Sequence, residues 1–241
     1  MGDAALNLTG LSLIVPVYNE EKVIERTLFH LAQALSEICP DHEIIVCNDG
    51  STDGSAELVR RLSQSNGRIR LVGYDGNRGY GYALRYGFAH ATKSLVAYTD
   101  GDLPCDLSIL GRCLELLRSA DAVFAFRDCR DNALREFYSV VYNFLIRTVF
   151  SIKIRDVNFS FKIFKKEVLD SLALKAKGSF IDAEMVCKAR KSGYRIEEVA
   201  AKYLLRTVGK SKLSSPGIIL FIIYEMLKLY PEIIRTRKIA S

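Results

Sequence analysis

The sequence lacks any run of about 20 uncharged apolar residues, so no segment reads as a membrane span. Residues Met1 to Asn7 offer neither a basic start nor a long apolar stretch, and no secretory signal is expected. None of the six cysteines stands in a C-x-x-C pair, and the three histidines have no metal-ligand spacing, which argues against a zinc site. Scattered thiols without an export signal are expected to be reduced and mostly buried, as in a cytosolic protein. There is no internal repeat, low-complexity tract or linker-like stretch. No G-x-G-x-x-G follows the first apolar run, and the lysine-bearing phosphate loop is also missing. At 241 residues the chain is long enough to bury a core without staples, and one large domain is the simplest organisation.

Charge is present but unevenly spread. The net charge is +6. Residues 202–241 hold eight basic side chains (Lys202, Arg206, Lys210, Lys212, Lys228, Arg235, Arg237, Lys238) against Glu225 and Glu232. Over residues 1–201 the remaining 26 basic and 26 acidic residues cancel. The excess therefore sits at the C-terminal end, where it suits an anionic partner or simply a solvated tail.

Apolar runs alternate with helical patterns through the first half. Strands are expected over Leu11–Val17, Glu43–Asn48, Arg68–Gly73, Leu95–Thr99 and Ala122–Phe126. Helices are expected over Glu20–Glu37, Ser55–Leu62, Gly81–Ala91 and Leu107–Leu117. This alternation implies βαβ units, an α/β fold and a mainly parallel sheet flanked by helices. The second half reads as helix Arg135–Phe150, strand Phe159–Phe164, helix Ile181–Lys191 with Gly193 closing it, strands Tyr194–Val199 and Lys202–Arg206, and helix Pro216–Arg235.

Ligands of parallel sheets bind beyond the carboxyl ends of the strands. Five polar clusters fall on that one edge: Pro16-Val-Tyr-Asn-Glu20, Asn48-Asp-Gly-Ser-Thr-Asp53, Asp75-Gly-Asn-Arg-Gly79, Asp100-Gly-Asp102, and Arg127. Asp100 and Asp102, one residue apart at a strand end, suit a divalent cation shared with substrate phosphates. By itself that tripeptide reads equally well as an ordinary turn. Asp53 reads mainly as a helix cap.

Taken in order, Pro16 to Glu20, Asn48 to Asp53, Asn77-Arg-Gly-Tyr-Gly81 and Thr99-Asp-Gly-Asp102 resemble the motifs of family 2 glycosyltransferases of the GT-A fold. Further on, Arg155 to Lys162, Phe180-Ile-Asp-Ala-Glu184, Gly193-Tyr194, Glu197-Glu-Val199 and Arg206 to Lys212 are similar to the branch that glycosylates polyprenyl phosphates, typified by dolichol-phosphate mannose synthase. The resemblance spans roughly residues 11 to 213. It implies inverting transfer from a nucleotide-diphosphate sugar. Pro16, Tyr18, Glu20, Asp49, Asn77, Gly79 and Asp100 would bind the donor, and Asp100 and Asp102 would hold Mg²⁺ or Mn²⁺. Asp102, Arg127 and Arg206 would carry catalysis. Arg135, Glu184, Lys210, Ser211 and Lys212 would meet the acceptor. Related synthases often carry Gln where Pro104 stands, which leaves Asp106 or water as the third ligand.

The acceptor class also has a chemical argument. A sugar hydroxyl needs a general base, whereas a lipid phosphate is already an anion and needs cations to hold it beside a second anion. Arg127, Arg130, Arg135, Arg206, Lys210 and Lys212 supply such charge; any one of them also reads as an ordinary surface residue, Arg130 most of all. Asp182 or Glu184 remains a candidate base for a hydroxyl acceptor, while Phe180 and Met185 suit the core. The stripe Ile219, Ile222, Ile223, Met226, Leu229, Tyr230 and Ile233, with its basic end, suits a membrane interface, docking on the protein's own core, or a dimer interface.

The expected organisation is a catalytic domain over 1–213 and a basic amphipathic helix over 214–241. The expected role is sugar transfer to a polyprenyl phosphate, by a protein lying peripherally on the cytoplasmic face of an anionic membrane. A hydroxyl-directed transferase and a non-catalytic nucleotide-sugar-binding scaffold are the alternatives. A homo-oligomer or a separate membrane subunit is compatible with either. Nucleic-acid binding is disfavoured by the balanced charge of residues 1–201 and the absence of RRM, KH or zinc motifs.

Overall fold

The computed structural model describes residues 10–103, 106–128, 133–202, 216–236 and 238, with backbone alone at 133–137 and 216. Strand β1 (Leu11–Val17) is buried at every residue, as its continuous apolar run requires. It pairs in parallel with β2 (His42–Asn48) on one side and β4 (Leu95–Thr99) on the other. Strand β3 (Ile69–Gly73) continues the sheet beyond β2. Strand β6 (Phe161–Lys165) inserts antiparallel between β4 and β5 (Ala122–Arg127), and β7 (Ile196–Ala201) pairs in parallel with β5. The order is β3-β2-β1-β4-β6-β5-β7.

Helices cover both faces. On one, α1 (Ile24–Ile38), α2 (Ser55–Ser65) and α4 (Ile109–Leu116) bury Leu28, Leu31, Leu35, Val59, Leu110 and Cys113 against Leu13, Val15 and Val46. On the other, α3 (Tyr80–Ala89), α5 (Ala133–Phe150), α6 (Lys166–Ser171), α7 (Ile181–Lys191) and α8 (Pro216–Arg235) pack on Ile14, Val96, Tyr98, Phe124 and Phe164. Alternate residues of β1 thus serve opposite layers, as the two-residue period of a strand dictates. Phe180 and Met185 are fully buried, as expected of core residues.

Helix α7 is buried from Ile181 to Ala189 because α8 closes over it. Met226, Leu229 and Ile233 carry α8 into the common core. The opposite side of α8 stays outside, with Leu220 at 68% and Leu227 at 65% exposure. Helix α5 does the same: Ile146 and Phe150 are buried, while Phe144 is 67% exposed beside exposed Val140 and Val141. Phe150 of α5 and Tyr230 of α8 meet at 5.7 Å between ring centroids, near the C-terminal ends of the two helices.

Most element ends fall within a few residues of expectation, and three differences have a local reason. Strand β6 starts at Phe161 rather than Phe159, because the Phe159 carbonyl accepts from the buried Lys162 ammonium at 2.7 Å. Strand β7 starts at Ile196 rather than Tyr194. Gly193, at φ +86°, ends α7 by donating its N–H to the Arg190 carbonyl, and the Tyr194 N–H reaches the Ala189 carbonyl. Helix α6 was not expected; six residues are too few for a periodic signal. The expected strand at 202–206 lies outside the described residues except for Lys202. Among the described residues, Cys39, Cys47, Cys113 and Cys187 are free thiols, and all but half-buried Cys39 are buried.

Candidate active site

The order of strand addition reverses at β1, with β2 and β3 to one side and β4 to the other, and the loops at their carboxyl ends lie on one edge there. The first two loops are laced together. Asn19, at φ +56°, donates its N–H to Ser51 Oγ and accepts from the Thr52 N–H through Oδ1. The Glu20 N–H donates to Ser55 Oγ at 2.9 Å. The Glu21 carboxylate accepts from the Gly54 N–H, while the Asp53 carboxylate accepts from the N–H groups of Glu21 and Ser55. Asp53 is therefore structural, as expected, although Gly54 occupies the cap position of α2. Pro16 is buried, and the half-buried Tyr18 and Glu20 border the loop between them.

Asp49 was expected to touch a nucleoside, and the structure gives its carboxylate internal work. It is 3% exposed and accepts from the N–H of Arg78 at 2.7 Å, the N–H of Gly79 at 3.1 Å and the Tyr74 hydroxyl at 2.9 Å. It thereby fixes the loop after β3, where Asn77 is exposed. Gly50, at φ +66°, lets the two loops touch: a Cβ there would lie 2.3 Å from the Gly76 carbonyl carbon. Arg78, unforeseen from the sequence, lies over the rings of Tyr74 at 5.0 Å and Tyr82 at 5.2 Å and presents its cation beside Asn77.

Asp100 and Asp102 follow β4. Asp100 accepts from the Tyr80 hydroxyl at 2.9 Å and is hydrogen-bonded by the Ser160 side chain. Burial, then the charge of Asp102, pushes the Asp100 carboxyl from its ordinary 3.8 up to about 6. A buried carboxylate with a second carboxylate beside it fits a divalent cation, which would relieve both causes acting on Asp100. Asp106 does not join them. Its Oδ1 accepts from the Ser108 N–H at the start of α4, and no group of three or more potential metal ligands exists among the described residues.

Beneath Asp100 lies a buried network that the sequence reading did not anticipate. Lys162, fully buried on β6, donates to Asp182 Oδ1 at 2.9 Å, to the Tyr98 hydroxyl at 2.9 Å and to the Phe159 carbonyl. Tyr98 also donates to Asp182. Asp182 is thus a counter-charge to Lys162 and not an open base. Because β6 runs antiparallel, its preceding loop returns to the site edge and brings Ser160 to Asp100. The sequence signal was Lys162 set among Phe161, Ile163 and Phe164 of a strand buried throughout.

The acceptor-side expectations divide. Arg127, at the end of β5, is paired with Asp156 at 3.1 Å and lies 5.7 Å from the Phe159 ring. Arg135 is in α5, with its backbone alone described. Arg130, Arg206, Lys210, Ser211 and Lys212 lie outside the described residues. Glu184 is a correction. It is fully buried, its carboxylate accepts from the N–H groups of Lys175 and Ala176, and Lys188 neutralises it at 2.7 Å. A group so enclosed and so fully bonded serves the fold and does not meet an acceptor.

With this geometry in hand, comparisons with known proteins are informative. Residues 12–173 match the model of Glycosyl transferase family 2. The chain is 32% identical over 199 residues to Glycosyltransferase AglD of Haloferax volcanii, covering 78% of this chain and 32% of that protein. It is 29% identical over 207 residues to the undecaprenyl-phosphate 4-deoxy-4-formamido-L-arabinose transferase of Aeromonas hydrophila, covering 84% and 62%. It therefore spans from a third to three fifths of the length of these curated relatives. Among solved structures, the Mycobacterium tuberculosis glucosyl-3-phosphoglycerate synthase with Mn²⁺, UDP and glucosyl-3-phosphoglycerate superposes with a TM-score of 0.66 at 18% identity, over 92% of this chain and 81% of that one. The mannosyltransferase PcManGT of Pyrobaculum calidifontis, with GDP-Man and Mn²⁺, gives 0.62 at 23% identity, over 94% and 72%.

Proposed function

Since the chain belongs to glycosyl transferase family 2 and has the GT-A fold, we propose that it transfers a sugar from a nucleotide-diphosphate donor to a polyprenyl phosphate. The donor lies against the loops after β1, β2 and β3. Pro16, Tyr18 and Glu20 border its nucleoside, while Asp49 acts through the loop it fixes. Asn77, Gly79 and Arg78 face its phosphates. Asp100 and Asp102 would hold Mg²⁺ or Mn²⁺; the two structural neighbours were each solved with Mn²⁺. A divalent cation held there would supply positive charge to offset that of the departing nucleoside diphosphate. Tyr80 and Ser160 orient Asp100 toward it. The acceptor phosphate attacks as an anion, held by Arg127, Arg135, Arg206, Lys210, Ser211 and Lys212, so no buried base is required.

The observation that carries the lipid acceptor is the set of apolar side chains that α5 and α8 leave exposed. Tyr138, Val140, Val141 and Phe144 of α5 and Ile219, Leu220, Phe221, Ile223, Tyr224 and Leu227 of α8 are exposed large apolar residues. Exposed apolar residues clustered along a helix in this way mark an interaction site. At the far ends of these helices, Lys153, Lys191 and Lys238 line a cleft of about 460 Å³, adding positive charge suited to anionic headgroups. No described helix is long and apolar enough to cross a membrane. Residues 214–241 then serve as a membrane-associating unit on the cytoplasmic face, docked by one side of α8 on the enzyme. The undecaprenyl-phosphate specificity in the name of the Aeromonas relative supports the same acceptor class.

The test is transfer of radiolabel from a panel of nucleotide sugars to a short-chain polyprenyl phosphate with Mn²⁺. Label in the organic phase, dependent on metal and on the acceptor's phosphate, is expected. Label that moves instead to free saccharide hydroxyls would remove the lipid acceptor. Separately, Leu220→Ser/Leu227→Ser should weaken sedimentation with phosphatidylglycerol vesicles at least tenfold, each buried methylene being worth about 0.8 kcal/mol. Unchanged sedimentation would remove α8 from the membrane face.

A further inference from the structure

We propose that Glu225 of α8 is a positioning residue for the donor, acting through the backbone of residues 175–178. This rests on the reading of the loop after β3 as the donor's phosphate site. Four successive backbone N–H groups in that segment end on two buried carboxylates. Lys175 and Ala176 donate to Glu184 at 2.9 and 2.7 Å; Lys177 and Gly178 donate to Glu225 at 2.6 and 3.0 Å. Such an array of aligned donors is a concave anion site, here filled by side chains of α7 and α8.

The carbonyl side of the same segment faces the start of α3. The Lys177 carbonyl accepts from the Tyr82 N–H at 3.1 Å. A Cβ on Gly79, which holds φ +100°, would lie 2.6 Å from the Lys177 oxygen. A Cβ on Gly81 would lie 2.6 Å from the Gly178 oxygen and 2.8 Å from that of Ala176. The segment is therefore a rigid spacer, pinned by carboxylates behind and pressed on Gly79 and Gly81 in front. Between those glycines stands Tyr80, whose hydroxyl reaches Asp100, and the Gly79 N–H is held by Asp49. Moving the spacer moves the phosphate loop and the orienting tyrosine together. Glu184 has Lys188 as a local counter-charge and belongs to the core, whereas Glu225 is the hold that comes from α8.

The Glu225→Gln variant presents an amide NH₂ where two N–H groups now meet a carboxylate, so one bond is lost and two donors face each other. Titration calorimetry of UDP and GDP with Mn²⁺ should show about tenfold weaker binding, about 1.4 kcal/mol by the logarithmic relation. Binding to phosphatidylglycerol vesicles should be unchanged, because α8 remains docked. Glu225→Asp, which keeps the charge on a shorter stem, should fall between wild type and Glu225→Gln, and it carries the comparison alone if the glutamine variant does not fold. Met226→Ala is the control, because it loosens the same turn of α8 without touching residues 177–178. Nucleotide affinity lost equally in Met226→Ala, or unchanged in both Glu225 variants, would overturn the proposal. Wild type that binds neither nucleotide would instead overturn the donor reading itself.

Discussion

Asp102→Asn is expected to reduce sugar transfer about a thousandfold and, at the same time, to make the metal-free protein more stable. The first effect follows from losing one of two carboxylates that hold the cation, whose charge stabilisation is worth several kcal/mol in such sites. The second follows from the neighbouring acid. Asp100 is pushed up to about 6 by burial and then by Asp102. Between its ordinary value near 3.8 and about 6, the folded protein binds more protons than the unfolded chain. Metal-free stability must therefore fall as pH rises through that window, and the cost, roughly 3 kcal/mol, is complete above it. Removing the Asp102 charge removes the second cause. Melting in EDTA from pH 4 to 8 should show a higher Tm above pH 6 and a shallower decline for the variant. Transfer above a tenth of wild type would exclude Asp102 as a ligand, and superimposable melting curves would exclude the like-charge cause.

Lys162→Met should be the most damaging single change to stability, costing about 3–5 kcal/mol. Breaking one partner of a buried ion pair leaves the other charge uncompensated. Lys162 is fully buried, Asp182 nearly so, and the ammonium also satisfies the Phe159 carbonyl and the Tyr98 hydroxyl. For a chain of this size that predicts a fall in Tm of roughly 6–20 °C. The double variant Lys162→Met/Asp182→Leu should regain most of the loss, since an apolar pair of similar volume fits the same space. It should nevertheless bind Mn²⁺ and nucleotide poorly, because the loop bearing Ser160 has lost its anchor. Denaturant unfolding of the three proteins closes the cycle. A single-variant cost below about 1 kcal/mol would mean that Asp182 finds another partner or is protonated in the folded state.

The sheet was legible because its parallel strands are continuous apolar runs, and Leu11–Val17 and Leu95–Thr99 appear at their expected bounds. The edge that carries the site followed from where the polar clusters fell along those strands. What could not be read was which polar residue faces inward. Asp49 and Glu184 look like ligand-binding carboxylates in one dimension, yet each is consumed by backbone N–H groups of another segment, the loop after β3 for Asp49 and the turn before α7 for Glu184. Lys162, Tyr80 and Ser160 were overlooked for the same reason: Lys162 and Ser160 meet their partners through the antiparallel return of β6, and Tyr80 meets Asp100 only where the start of α3 comes beside the end of β4. The choice between a lipid-facing and a core-docked C-terminal helix was posed as exclusive. Its amphipathic stripe docks inward through Met226, Leu229 and Ile233, while further apolar residues on the other side remain outside.

The insertion of β6 between β4 and β5 has a consequence for synthesis on the ribosome. The half-sheet β3-β2-β1-β4 is complete once Thr99 has emerged, but the edge of β4 stays unpaired until Phe161 follows, roughly sixty residues later. At about 5–20 residues per second, that edge is open for about 3–12 s. Strand β5 emerges meanwhile and has no partner, because both of its neighbours, β6 and β7, are still to be made. Open strand edges are templates for pairing with another chain. The nascent protein is thus most exposed to misassembly while residues 100–161 are being made. Pausing that slows translation between α5 and β6 should lower soluble yield more than an equal pause after β7.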